Sequence, residues 1–141
     1  MISKSLSSDQ QTKLLLAARE AVKNAYAPYS EFRVGASVLT ENDNIFSGCN
    51  IENASYGLTI CAERAAICSA VAHEGGKNMK IRAICVVNDK DSSCSPCGAC
   101  RQVIFEFGPN AIVIFRGQDG LVSAYANELL PDGFVAYDQS N

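Results

Sequence analysis

The run IRAICVV, residues 81–87, limits this chain more than any other feature. It has strand length and lacks the polar alternation of a half-exposed strand, so both of its faces must be covered. Such a strand belongs at the centre of a sheet carrying helices on its faces. The flanking sequence supplies them. Ser8 followed by Gln11 reads as a capping box, and Leu15, Ala18, Val22 and Ala25 recur at helical spacing until Pro28, which predicts a first helix over 9–26. Cys61–Glu74 is alanine-rich, free of glycine and proline, and stops at Gly75-Gly76, predicting a second helix. A third opens at Pro96 or Cys97 and closes at Gly108-Pro109.

Further strands are expected at Val34–Leu39 and Ile45–Cys49, joined by the turn residues Glu41 to Asn44, and at Ala111–Phe115 and Leu121–Tyr125, separated by Asp119-Gly120. Glu128–Leu130 reads as a helical turn ended by Pro131. The order is α-β-β-α-β-α-β-β. At 141 residues the chain holds one core, and a single domain over 1–141 is expected.

Several partners are excluded. No segment approaches the ~20 apolar residues that cross a bilayer. The opening MISKSLSSDQQTK lacks a signal peptide's apolar run, so a cytoplasmic protein with reduced thiols is expected. A net charge of −3 with only scattered lysines offers no footprint for nucleic acid. A small, nearly neutral molecule suits this balance better. In a reducing compartment, seven cysteines favour metal binding or catalysis over disulfides.

Two stretches concentrate the chemistry: TICAERAAI, around Cys61, and SPCGACRQ, containing Cys97 and Cys100. Both lie at predicted helix starts, where unpaired N–H groups and the helix dipole favour thiolate over thiol. Three thiolates around Zn²⁺ leave an open position for water, the catalytic pattern; a fourth, from Cys94, would close the site and make it structural. A redox pair at Cys97 and Cys100 is another reading. Glu63 stands two residues after Cys61 and shares its cavity only if Cys61 caps the helix. There it would take a proton from water and deliver it to substrate; otherwise it is a solvated surface residue. Arg64 is a candidate donor to the sulfurs, or a surface arginine. His73, the only histidine, falls roughly 18 Å along the helix from Cys61 and is a poor ligand.

Cys61-Ala62-Glu63-Arg64 and Pro96-Cys97-Gly98-Ala99-Cys100-Arg101-Gln102 together resemble the CAER and PCxxCRQ motifs of the small cytidine deaminases. Matches at Pro28–Ala36, Gly48–Tyr56 and Glu128–Pro131 extend the resemblance from about Tyr26 to Phe134. It implies a three-layer α/β/α fold with a mixed five-stranded sheet. It further implies one zinc per chain on Cys61, Cys97 and Cys100, with Glu63 as proton shuttle and Cys94 outside the ligand set. Asn50 and Glu52 would bind ribose, and Phe32 would lie against the base. A homotetramer is implied whose shared sites include Ala54, Tyr56 and Phe134. After Phe134 this chain reads Val-Ala-Tyr-Asp where the family usually has an acidic ending. The implied reaction is hydrolytic deamination of cytidine and deoxycytidine, a step of pyrimidine salvage; a cytosine nucleoside antibiotic is the alternative substrate. Cys49, Cys68 and Cys85 read as small core residues.

Overall fold

A computed structural model describes residues 5–136. It contains α1 (Ser8–Val22), β1 (Val34–Thr40), β2 (Ile45–Cys49), α2 (Ala62–Glu74), β3 (Ile81–Asn88), α3 (Gly98–Phe107), β4 (Ile112–Gly117), β5 (Gly120–Tyr125) and α4 (Ala126–Leu129), with a 3₁₀ turn at Tyr56–Leu58. The five strands form one sheet in the order β2-β1-β3-β4-β5. Pairing is antiparallel except between β3 and β4, where Ala83, Ile84 and Cys85 face Ile112, Val113 and Ile114 in parallel register. The sheet is therefore mixed, as expected.

Alternation along the central strands divides the core in two. Val34, Ala36, Val38, Ile84, Val86 and Val113 pack with Ala62, Ala66, Ile67 and Ala70 of α2 and with Ile104 of α3. On the opposite face Leu39, Ala83, Cys85 and Ile114 pack with Leu14 and Ala18 of α1. Helix α1 covers one side, and α2, α3 and the short α4 the other, giving three layers. Each fully buried residue such as Ile84 contributes about 1.5–3 kcal/mol relative to exposure. Two glycines set how closely the layers approach. A Cβ on Gly35 would come within 2.1 Å of the Ala18 carbonyl oxygen, and one on Gly48 within 2.4 Å of the Ala66 nitrogen.

Arg82 is the one charged residue of the run 81–87. Leu39 pairs with Ala83 and Thr40 with Ile81, so Arg82 is the extra residue of a bulge. Its buried guanidinium reaches Asp43 Oδ1 at 2.7 Å and Glu41 Oε2 at 3.4 Å in the β1–β2 turn. Glu74, closing α2, accepts from Thr40 Oγ1, Asn42 Nδ2 and Asn44 Nδ2 of the same turn.

Some expectations are corrected. The capping box is Ser7 with Gln10, not Ser8 with Gln11. The first helix ends at Val22 rather than at 26, because Tyr26 leaves to bridge Ile51. Of the three cysteines read as core, only Cys85 is buried; Cys49 is half-buried and Cys68 exposed, since α2 turns Cys68 away from its alanine face. No helix among the described residues is long and apolar enough to cross a membrane.

Candidate metal centre

Strands β2 and β3 both run antiparallel to β1 and hence parallel to each other, so the segments after them open on the same rim of the sheet. Both lead into helices there. Cys61 caps α2 in extended conformation, with φ −73° and ψ 151°, and its sulfur takes no part in capping. Cys97 caps α3, where its sulfur accepts from the Cys100 N–H at 3.5 Å. The sulfurs of Cys61, Cys97 and Cys100 lie within 4.8 Å of one another, close enough for one metal ion to reach all three. Cys94, the candidate fourth ligand, is not in this group. It stays half-buried, and its backbone N–H donates to Arg116 O at 2.8 Å.

The charges fit a cation held by sulfur. Arg64 Nη2 donates to Cys61 Sγ at 3.3 Å, and Arg64 Nε is buried without an acceptor among the described residues. A hydrogen bond shared with Cys100 is the main influence pushing the Cys61 thiol down to about 5, with burial opposing and Arg64 assisting. Cys100 is pushed up, first by that shared bond and then by burial. That downward push favours the thiolate at Cys61, and thiolate is the form that ligates. A borderline-soft ion such as Zn²⁺ matches this donor set.

Glu63 follows Ala62 into the first turn of α2 and is 5% exposed. Burial pushes its carboxyl above the ordinary range; its own backbone N–H pulls back, while the Cys61 charge adds to the rise. The surface-residue alternative for Glu63 therefore falls. A buried carboxyl of raised proton affinity close to Cys61 and Cys100 has the chemistry to take up and release a proton.

The remaining expected residues sit in the loops before α2 and around it. Asn50 is buried; its Oδ1 accepts from Val34 N at 2.9 Å and its Nδ2 donates to Phe32 O at 2.8 Å. Glu52 accepts from Tyr29 N at 2.9 Å, from Ser30 N at 3.1 Å and from the Ser30 hydroxyl. These donors hold its carboxyl below the ordinary range, the Ser30 hydroxyl foremost. Glu52, Tyr29, Ser30, Tyr56 and Thr59 line an open cleft of about 410 Å³. Phe32 is half-buried against the α2–α3 core, with Lys90 Nζ 6.0 Å from its ring centre. Ala54, Tyr56 and Phe134 are exposed. A larger hollow of about 450 Å³ lies on the α1 side and contains none of the three cysteines, so the chemistry, not the size, marks the site.

Sequence reading missed two partners. Ser30 holds Glu52 across 22 residues of chain, and Gln102 holds Phe134 across 32. No local pattern announces contacts at such separations, although Gln102 lies inside the PCxxCRQ motif.

An α/β fold that presents three cysteine sulfurs and a buried carboxyl at one rim has the parts of a zinc-dependent enzyme. Residues 8–116 match the family described as cytidine and deoxycytidylate deaminase zinc-binding region. The chain belongs to that family. It is 42% identical over 134 residues to a protein named probable cytidine deaminase from Dictyostelium discoideum, covering 94% of this chain and 89% of the other. A cytidine deaminase from Halalkalibacterium halodurans is 43% identical over 130 residues, covering 91% and 96%. Among solved structures, the cytidine deaminase of Burkholderia pseudomallei superposes with a TM-score of 0.78 at 43% identity, covering 92% of this chain and all of that one. That of Mycobacterium tuberculosis gives 0.77 at 37% identity, covering 89% and 97%.

Proposed function

We propose that this protein hydrolyses cytidine and deoxycytidine to uridine and deoxyuridine with release of ammonia. The observation that carries this reading is the convergence of three cysteine sulfurs within 4.8 Å beside the buried Glu63. Cys61, Cys97 and Cys100 would hold Zn²⁺, which when bound acts as a Lewis acid and lowers the pKa of water. Glu63 takes a proton from the attacking water and gives it to N3 of the ring. Later it takes the proton of the hydroxyl now on C4, leaving the carbonyl of the product, and passes it to the departing amine.

Glu52 and Asn50 are assigned to the sugar. A carboxylate has about four acceptor positions and Glu52 uses three, so one remains for a ribose hydroxyl. The Asn50 amide keeps a second N–H and a second lone pair after its two bonds to the chain. Phe32 faces the base in this reading.

The protein acts as a homotetramer with sites shared between subunits. Tyr26, Tyr29, Ile51, Tyr56, Leu58 and Ile60 are all exposed, and the bridges from Tyr26 to Ile51 and from Ile51 to Ile60 hold three of them side by side. Apolar exposure of that extent calls for a covering partner, and Ala54, Tyr56 and Phe134 would reach neighbouring sites from it. The cytoplasm is the compartment we assign, because all seven cysteines are free and the three in the site must stay reduced to bind metal.

Zinc-loaded protein incubated with cytidine is expected to lose the substrate's ultraviolet absorbance and release ammonia. Glu63→Gln should keep one zinc per chain and lose turnover by at least roughly 100-fold. An inert wild type, or near-normal turnover in Glu63→Gln, would overturn the reading.

A further inference from the structure

The geometry points to Gln102 as a positioning residue that aims the Phe134 ring into a neighbouring subunit's site. This rests on the deaminase reading above and adds a role to a residue so far without one. The Gln102 amide donates from Nε2 to Phe134 O at 3.0 Å and accepts at Oε1 from Phe134 N at 3.3 Å. One side chain thereby satisfies both backbone groups of one residue, as a neighbouring strand would.

Among the described residues no backbone group does this work at residue 134. After the Leu130 N–H, bonded to Ala126 O, no backbone–backbone hydrogen bond holds the chain up to 136 among the described residues. Phe134 is 70% exposed as a residue, so contacts with its own subunit do little to direct its side chain. Its direction is inherited from the backbone that Gln102 holds. Gly133 brings that backbone flat onto α3: a Cβ there would come within 2.9 Å of the Phe105 ring. Gln102 is two residues beyond Cys100 on the same helix, so α3 ties the position of Phe134 to that of the sulfurs. Arg101 anchors the start of the segment through Leu129 O at 3.0 Å, but it also holds Pro96 O at 2.8 Å, beside Cys97. Replacing Arg101 would disturb the metal site; replacing Gln102 isolates the clamp.

The test compares wild type, Gln102→Met, Gln102→Glu, Phe134→Ala and the Gln102→Met/Phe134→Ala double variant in steady-state cytidine deamination, with zinc content and solution mass measured on each. Gln102→Met keeps the shape and removes both hydrogen bonds; it should raise KM roughly 3- to 10-fold with kcat changed by less than about 2-fold. Gln102→Glu keeps the acceptor and loses the donor, and should move KM in the same direction. Zinc and mass should stay at wild-type values. Phe134→Ala should raise KM at least as much, and the double variant should be no worse than Phe134→Ala alone. Fully additive KM effects, an unmoved KM in both Gln102 variants, or changes confined to zinc or assembly would overturn the proposal while leaving the deaminase reading intact. A wild type inactive on cytidine would overturn both.

Discussion

The Arg64 guanidinium meets the Cys61 sulfur at 3.3 Å, inside the same helical turn that carries Glu63. Three thiolates outweigh a divalent ion by one negative charge, which blunts its power to acidify water. A permanent cation against one of those sulfurs draws that excess away. Arg64→Gln should weaken metal retention roughly 10- to 100-fold, read as faster zinc loss to a competing chelator. Retention equal to wild type would assign Arg64 to packing alone.

Cys94 supplies the contrasting case. It stands three residues before Cys97, yet it is absent from the group of sulfurs within 4.8 Å. Cys94→Ser should keep one zinc per chain and most of the cytidine turnover, whereas Cys61→Ser should lose zinc. Equal zinc loss in both variants would mean that the site is closed by four sulfurs.

Gly35 fixes the seat of α1. In Gly35→Ala the added methyl would meet a backbone carbonyl at 2.1 Å, which cannot rotate aside as a side chain would. Destabilisation of at least about 1–3 kcal/mol is expected, visible as a lowered thermal midpoint. An unchanged midpoint would show that α1 shifts freely on the sheet.

The acid limit of stability should depend in part on Glu74. Partial burial draws its carboxyl upward, but the donors Asn44, Thr40 and Asn42 outweigh this and hold it below the ordinary value of 4.5. A depressed folded-state value means that the carboxylate's contribution is fully present above pH 4.5 and fades as pH falls through the folded value. Glu74→Gln should therefore flatten the fall in stability below about pH 4.5, measured by denaturant titration across pH. An unaltered slope would remove Glu74 from the acid response.

What could be read from the sequence was what depends on near neighbours. Cys61, Glu63, Cys97 and Cys100 are set by helix starts, and glycine, proline and alanine mark those starts plainly. The cap of α1 was ambiguous for a local reason: Ser7 and Ser8 each have a glutamine three residues ahead, and only the packing of Leu14 and Ala18 decides the phase. Its end was hidden because Tyr26 is claimed by Ile51, a residue remote in sequence. Cys68 reads as core because it lies in an apolar helical pattern, although the helix places it outward. The bonds of Asn50 and Glu52 to residues 29–34 are likewise products of folding, invisible to spacing.

The two-sided sheet separates durability from selectivity. Its interior fixes the directions in which α2 and α3 begin, and so guards the reactive sulfurs. The residues assigned to recognition are carried mainly by the loops at 26–33 and 50–60 and the segment at 131–136. A descendant of this scaffold could exchange those surface pieces for a new substrate while inheriting the reaction unchanged.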